Sequence, residues 1–310
     1  MTSPAPAAAP SPHNEPPIRE GLDFAVFHSD GSPASMDELI EASGGYDAIL
    51  LGEEHNDPIT HRVQMEVFRR AFVTWGGGGP MTSSPAAGVG RPAMSAGNRN
   101  VVLTLEMFER DVQYILDEYM TDLITETHFQ SSARPWGNYD PDYRRLVEFA
   151  KANRIPVVAA NAPRRYVNIA SREGRSAVEA LPESARRYLP PLPYPQAEAA
   201  YKAEWDALMG DAAMHMQGDP LDGQTLWDAS MGHAITTALD THENALVVHL
   251  AGGFHVENHT GTPDAIQHYR PGTRSLVIAI RPSDDPNAFE ADRVGLGDFV
   301  VQTLRPAPGN

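Results

Sequence analysis

Short apolar runs that alternate with helix-like segments are the feature that most restricts the fold of this chain. The run DAILLG (47–52) is followed by a helical segment from about Pro58 to Phe72, in which Pro58 suits the first turn and Asp57 the N-cap. Seven such runs are predicted to be strands: 24–28, 47–52, 100–108, 155–161, 245–252, 274–281 and 298–304. Continuous apolar strands separated by helices predict an α/β fold, with a mostly parallel sheet and helices on both faces.

The remaining segments predict how the chain is organised around this sheet. Residues 1–20 are rich in Pro and Ala and are predicted to be a disordered tail, which leaves 21–310 as a single domain. The stretch 75–100, rich in Gly, Pro and Ser, lies between two strongly patterned segments and is predicted to be a flexible insertion. Helical patterns dominate 162–241, which is predicted to form a helical subdomain covering the pocket at the carboxyl ends of the strands.

Composition excludes several classes of function. The formal net charge of −17 argues against nucleic acid or an anionic membrane as the main partner. With no cysteine, the chain has no thiolate metal site and no cysteine nucleophile. No apolar stretch approaches the roughly 20 residues of a transmembrane helix. As the sequence stands we expect a cytoplasmic protein, secreted or at the surface only if a signal segment has been removed.

Polar residues follow four of the predicted strands at the points where the strands end. The four groups are Gly52-Glu53-Glu54-His55, Glu106-Met107-Phe108-Glu109, Asn161-Ala162-Pro163-Arg164 and Gly252-Gly253-Phe254-His255. Any one of these groups alone is better explained by turn chemistry. Ligands of open α/β sheets, however, bind beyond the carboxyl ends of the strands, so four such groups at one edge predict a shared pocket.

Two imidazoles beside carboxylates are suited to two kinds of chemistry. His55, His255 and Glu106 form a ligand set that zinc, iron or manganese would accept. In that case Glu53 or Glu54 would be the general base, and the metal would lower the pKa of bound water. The same groups, with His55, could instead transfer protons without a metal. The usual motifs of serine hydrolases, P-loop NTPases and dinucleotide enzymes are missing.

Other histidines and a group of aromatic residues are assigned weaker roles. His249 lies inside an apolar strand and is predicted to be a core residue or a hydrogen-bonded neighbour of the site. His61 is equally compatible with the site and with solvent, and His233 is predicted to be structural. The segment 131–146 places Trp and Tyr in a stretch containing Gly and Pro, which could line a flat apolar pocket of the kind that a porphyrin requires.

Five segments of the chain resemble the ChaN-like family of haem-binding proteins, within the Tiki superfamily that includes erythromycin-esterase-like proteins. They are ILLGEEHNDPITHRVQMEVFRR, LTLEMFERDVQ, WGNYDPDYRRLVEFAKANRIPVVAANAPRRYV, LWDASMGHAI and VVHLAGGFHVENHTGTPDAI. Together they span about residues 46–270 in one consistent order. The resemblance implies an α/β core with a helical subdomain over the pocket.

The resemblance also implies a ligand. ChaN-like proteins bind haem through a tyrosine and stack haems at a dimer interface, which implies haem as cofactor and a homodimer as assembly. That tyrosine has no motif here, so Tyr139, Tyr143 and Tyr166 are all candidates, and Arg164 is added as a cofactor-binding residue. The predicted function is therefore haem or iron binding in the pocket at the carboxyl ends of the strands, with haem or another small molecule as partner.

The alternative function comes from the same resemblance. Tiki-type relatives are metal-dependent hydrolases that use paired Gly-x-x-His motifs and a glutamate. By position these correspond to His55, Glu106 and His255, with Glu53 beside them. The sequence leaves haem carriage and metal-dependent hydrolysis both open.

Overall fold

Eight strands form one sheet in the computed structural model, which describes residues 16–76, 98–210 and 218–306. The strands are β1 (Phe24–His28), β2 (Pro33–Ala34), β3 (Ala48–Glu53), β4 (Asn100–Glu109), β5 (Val157–Asn161), β6 (Ala245–Gly252), β7 (Ser275–Ser283) and β8 (Phe299–Leu304). Their spatial order is β2-β1-β8-β7-β3-β6-β4-β5. In this order, each strand from β8 to β5 is parallel to its neighbour. Strand β1 pairs antiparallel with both β8 and β2. The predicted α/β class with a mostly parallel sheet is confirmed.

Helices cover both faces of the sheet. In the described ranges the α-helices are α1 (Met36–Ser43), α2 (Pro58–Trp75), α3 (Gln113–Met120), α4 (Glu126–Ala133), α5 (Arg144–Ala152), α6 (Arg164–Glu173), α7 (Arg175–Glu179), α8 (Glu183–Arg186), α9 (Ala199–Met209), α10 (Pro220–Thr241) and α11 (Thr262–Tyr269). Ile49 and Leu51 of β3 pack in the core under α1, α2 and α5. Ala48 and Leu50 pack on the opposite face, under α10 and α11. Alternate residues of a strand point to opposite faces, so a sheet buried on both sides requires a continuous apolar run.

The two longest helices begin with the same local signal. Asp57 caps α2, since its side chain accepts a hydrogen bond from the backbone N–H of Ile59 at 3.0 Å, and Pro58 follows in the first turn. Asp219 caps α10 in the same way, and Pro220 follows. The helix predicted over 225–240 is therefore longer at its start than its apolar pattern indicated.

Other predicted elements agree with the structure to different degrees. The predicted bounds of β6 are those observed. The helix expected over 140–154 begins with a π-helical turn, Tyr139–Tyr143, before α5. The helix expected over 196–216 is described only as α9, because 211–217 lie outside the described residues.

The helical region 162–241 serves two purposes. Met231 and Ile235 of α10 pack on the sheet face, and Trp205 of α9 lines the cavity at the carboxyl ends of the strands. The division of 21–310 into one domain with a helical subdomain stays a prediction. Most of the predicted tail and insertion, 1–15 and 77–97, lies outside the described residues. Among the helices of the described ranges, none is both long and apolar enough to cross a bilayer.

The cap of α2 generates a stability prediction. The buried carboxylate of Asp57 accepts hydrogen bonds from Ile59 and from the hydroxyls of Thr60 and Thr303, the latter two at 2.6 Å each. Asp57→Ala removes the cap and leaves two buried hydroxyls without their acceptor, so the free energy of unfolding in urea should fall by about 2–4 kcal/mol. The exposed cap variant Asp219→Ala should lose only about 1 kcal/mol. Equal losses in the two variants would contradict this account.

Candidate functional site

A cavity of about 1170 Å³ opens at the carboxyl ends of the parallel strands. All four predicted strand-end groups contribute side chains to it. Its lining includes Glu53, Glu54, His55, Glu106, Glu109, Asn161, Arg164 and His255. Helix α9 adds Trp205 and helix α10 adds Trp227. The parallel sheet has therefore gathered the polar residues at one edge, as the strand-end pattern predicted.

The first element of the site is an imidazole that is held by a buried carboxylate. His55 Nδ1 lies 2.7 Å from Glu53 Oε1, and the hydroxyl of Tyr143 donates to the same oxygen. Gln64 donates to Glu53 Oε2 at 2.6 Å, and His61 Nδ1 lies 3.6 Å from that atom. Both oxygens of Glu53 are thus occupied. The arrangement orients His55, and the side chain of Glu53 is itself fully buried.

The charges of this pair follow from its surroundings. Burial raises the pKa of Glu53, but the hydrogen bonds from His55 and Tyr143 outweigh burial and hold that pKa below its ordinary value. Burial lowers the pKa of His55, but Glu53 and Glu106 outweigh it and raise that pKa above its ordinary value. Glu53 is therefore ionised at neutral pH and holds a proton on His55 Nδ1, so that in the neutral imidazole the free lone pair lies on Nε2.

The second element is a similar pair, formed by His255 and Asp228, which lies next to Glu106. His255 Nδ1 lies 2.8 Å from Asp228 Oδ1, and His255 Nε2 lies 3.8 Å from Glu106 Oε1. Burial lowers the pKa of His255, but Asp228 and Glu106 overcome burial and raise it to about 9. Asp228 lies on α10, and the hydroxyl of Thr262 donates to the same Oδ1 at 3.1 Å. His255 is consequently protonated at neutral pH.

Gly252 brings the two pairs together. Its N–H donates to Glu106 Oε2 at 2.7 Å. A Cβ added at this position would lie 3.0 Å from His55 Nε2 and 3.7 Å from Glu106 Oε2. A side chain at Gly252 would therefore intrude on His55, and the glycine permits the strand end to pass beneath the imidazole.

The predicted metal ligands His55, Glu106 and His255 lie close together, but their present arrangement is not that of a metal site. Within the described ranges, no group of three or more His, Asp or Glu side chains is arranged to hold a metal ion. Their chemistry nevertheless fits one, since His55 and His255 each have Nδ1 fixed by a carboxylate, as metal-binding histidines usually do. A metal on His55, Glu106 and His255 stays a prediction.

The three candidate tyrosines do not line the cavity. Tyr139 is buried among Phe108 and Phe129. Tyr143 is buried and donates to Glu53, and Tyr166 is half-buried with the Arg165 guanidinium 4.4 Å from its ring centroid. The aromatic side chains that do line the cavity are Trp136, Trp205, Trp227 and Phe254.

The remaining predicted residues lie at the rim or in the core. Glu54 is exposed at the rim, with one oxygen 3.3 Å from Arg281. Arg164 is exposed there too, with its guanidinium 5.8 Å from the ring centroid of Trp227. His249 is fully buried and bonded to Thr104, and burial lowers its pKa to about 3, as befits a neutral core residue.

Sequence reasoning missed two parts of the site. Asp228 was not identified, although an acid among the mostly apolar residues at the start of the segment 225–240 was a usable signal. Gln64 and Tyr143 were not recognised as partners of Glu53, because only the packing of α2 against the turn Tyr139–Tyr143 brings them together. His61, which had been equally compatible with solvent, is buried and contacts the backbone oxygen of His55 at 3.1 Å.

The model of the family described as haem-binding uptake, Tiki superfamily, ChaN matches residues 39–266. The chain belongs to the ChaN family. No curated protein matches it. A solved structure of a ChaN relative, described as cofacial heme binding to ChaN of Campylobacter jejuni, is 17% identical, with a TM-score of 0.63 over 94% of this chain and 100% of the other. At this identity the match shows a shared ChaN fold.

Two further solved structures match the chain more weakly than the ChaN relative does. The type III effector HopBA1 is 11% identical, with a TM-score of 0.42 over 93% of this chain and 100% of the other. A mutant of erythromycin esterase EreC in its open conformation is 7% identical, with a TM-score of 0.44 over 84% of this chain and 77% of the other.

The Asp228–His255 pair makes stability depend on pH. A pKa raised from 6.5 to about 9 means that protonated His255 stabilises the fold. This contribution is complete below pH 6.5 and is lost as the pH rises through about 9. Asp228→Asn should lower the pKa of His255 in an NMR titration and flatten the decline of unfolding free energy over that window.

Asp264→Asn is the matched control for this measurement. Asp264 lies on α11, and its Oδ2 accepts from the backbone N–H of Gly261 and not from His255. The control should leave both the pKa of His255 and the pH dependence of stability unchanged. A wild-type His255 that titrates near 6.5 would contradict the assignment.

Proposed function

We propose that this protein binds haem in the cavity at the carboxyl ends of its strands, with His55 as the iron ligand. The observation that carries this proposal is the position of His55 at the open cavity. Its side chain is 41% exposed and its Nδ1 is held by Glu53, so that the neutral imidazole presents the lone pair of Nε2. Membership of a haem-binding family supports the choice of ligand. Haem would supply an iron that accepts an imidazole nitrogen, which His55 would provide.

The walls of the cavity suit a flat apolar ligand with acidic substituents. Trp136 packs edge-on against His55, with ring centroids 4.8 Å apart, and Trp227 lies on the opposite side, beside His255. The rim carries Arg164, whose guanidinium group pairs well with a carboxylate such as a propionate of haem, and Arg281, which is already paired with Glu257. The volume of about 1170 Å³ is somewhat larger than that of ordinary ligand pockets, roughly 300–1000 Å³.

A hemin titration tests this proposal. Wild-type protein should give a saturable shift of the Soret band, and His55→Ala should weaken hemin affinity by roughly tenfold or more. Only the neutral imidazole binds iron and the pKa of His55 is raised, so affinity should increase with pH through that pKa.

His128→Ala is the matched control for the hemin titration. His128 is exposed on α4 and does not line the cavity. Its loss should leave the titration unchanged. If His55→Ala binds hemin as wild type does, while Tyr166→Phe abolishes the shift, iron is held by the tyrosine that the family resemblance suggested, and the role proposed for His55 is wrong.

A second candidate function is hydrolysis by acid–base catalysis, with or without a metal. The observation that favours it is the second pair, His255 and Asp228, which haem ligation by His55 does not require. His255 is protonated at neutral pH and lies 3.8 Å from Glu106, so the cavity holds an acid beside a carboxylate. His55 would then act as the base, with Glu53 orienting it and Glu54 at the rim.

His255→Gln distinguishes the two functions. His255 is 6% exposed, so hemin affinity should stay within about twofold of wild type, whereas hydrolysis of p-nitrophenyl acetate should fall by about 100-fold. Zinc, iron and manganese analysis of both proteins tests whether a metal takes part. Wild-type protein that hydrolyses the ester no faster than buffer rules out the second function for this substrate class.

A further inference from the structure

Arg110 has no anionic partner among the residues that the structure describes, in a chain whose net charge is −17. It follows β4 and begins the 3-10 turn Arg110–Val112. Its neighbours Glu109 and Asp111 both pair with Arg134, at 2.9 and 2.7 Å. Within the described ranges Arg110 forms no ion pair, and its guanidinium contacts His233 Nδ1 at 3.2 Å.

The groups around Arg110 are neutral. Burial and the charge of Arg110 lower the pKa of His233 to about 4, so that imidazole is uncharged at neutral pH and accepts from the guanidinium. Burial raises the pKa of Tyr269, whose ring packs against His233, so the phenol is uncharged as well. A largely desolvated charge without a counter-charge is costly, and burial lowers the pKa of Arg110 itself.

Arg110 lies at a cleft of about 600 Å³ that is distinct from the proposed haem cavity. The cleft runs between strand β5, which is the edge of the sheet, and helix α10. Arg187, just after α8, contributes a second guanidinium and is exposed. Among the described residues that line the cleft, none is Asp or Glu. The proposed haem cavity, by contrast, is lined by seven carboxylates: Glu53, Glu54, Asp57, Glu106, Glu109, Glu204 and Glu257.

We propose that this cleft binds a small organic anion, whose carboxylate or phosphate pairs with the guanidinium groups of Arg110 and Arg187. Such groups offer two acceptor oxygens that match the paired donors of a guanidinium. Val158, Ala234 and Ala238 supply an apolar wall for a short hydrocarbon portion of the ligand. Anion binding provides the counter-charge that the described part of the chain does not supply to Arg110. This site does not depend on haem binding.

Anion-dependent thermal unfolding tests the proposal. Tm is measured with increasing sodium phosphate or sodium butyrate, and with sodium chloride at the same ionic strength, since a ligand that binds the native state stabilises it with a saturable dependence. A saturable increase with phosphate or with butyrate, beyond that of chloride, is expected, and the more effective probe identifies the acidic group. The absence of such an increase with both probes overturns the proposal.

Three variants locate the effect. Arg110→Gln should weaken the apparent affinity for the anion by roughly tenfold or more. It should also unfold without anion at a Tm no lower than wild type, because an uncompensated charge has been removed. Arg187→Gln, at an exposed position, should weaken affinity by roughly threefold or more. The control Arg186→Gln, exposed next to it and outside the cleft, should bind as wild type does.

The variants can also contradict the assignment. Undiminished anion stabilisation in both Arg110→Gln and Arg187→Gln overturns it. If Arg110→Gln fails to fold, the anion affinities of Arg187→Gln and Arg186→Gln are compared instead. Equal affinities in these two variants reject the cleft as the binding site.

Discussion

Burial of the central parallel strands on both faces is the constraint on which the rest of the structure depends. Strand β3 lies between β6 and β7 and is buried along its whole length. A polar side chain within such a strand needs its own partner, as His249 of β6 has in Thr104. Most polar residues are therefore placed where the strands end. Parallel strands end at one edge, so Glu53, Glu106 and His255 meet there.

Buried carboxylates then decide what the site can do. Glu53 and Asp228 each hold an imidazole. Both carboxylates are in turn positioned by side chains that donate hydrogen bonds to them. The hydrogen bonds to Glu53 keep it ionised despite burial, and ionised Glu53 in turn fixes the tautomer of His55. Asp228 and Glu106 instead raise the pKa of His255 and so keep it protonated at neutral pH. Two histidines from the same Gly-x-x-His pattern thus differ in exposure, since the side chain of His55 is 41% exposed and that of His255 only 8%. Of the two, His55 is the one that reaches the open cavity.

The molecule separates its charges between two clefts. The cavity at the strand ends carries many carboxylates around His55, with arginines at the rim. The cleft between β5 and α10 carries Arg110 and Arg187 and, in the described part of the chain, no acid. An acidic protein would be expected to neutralise its arginines by pairing, as Glu109 and Asp111 do with Arg134. Arg110 is not neutralised in this way within the described residues, and for this reason we propose that it binds an anionic ligand.

The sequence by itself determined the main strands and their order along the chain, the cap at Asp57, and the edge of the sheet at which the polar residues gather. These follow from local patterns: apolar runs, helix periodicity and turn residues act over a few neighbours. Only the tertiary structure decided that Asp228 reaches His255 and that Tyr143 donates to Glu53 and does not line the cavity. It also decided that Arg110 has no counter-charge in the described part of the chain. Each of these depends on contacts between residues distant along the chain, where packing of α2, α10 and the turn at Tyr139–Tyr143 sets which side chains meet.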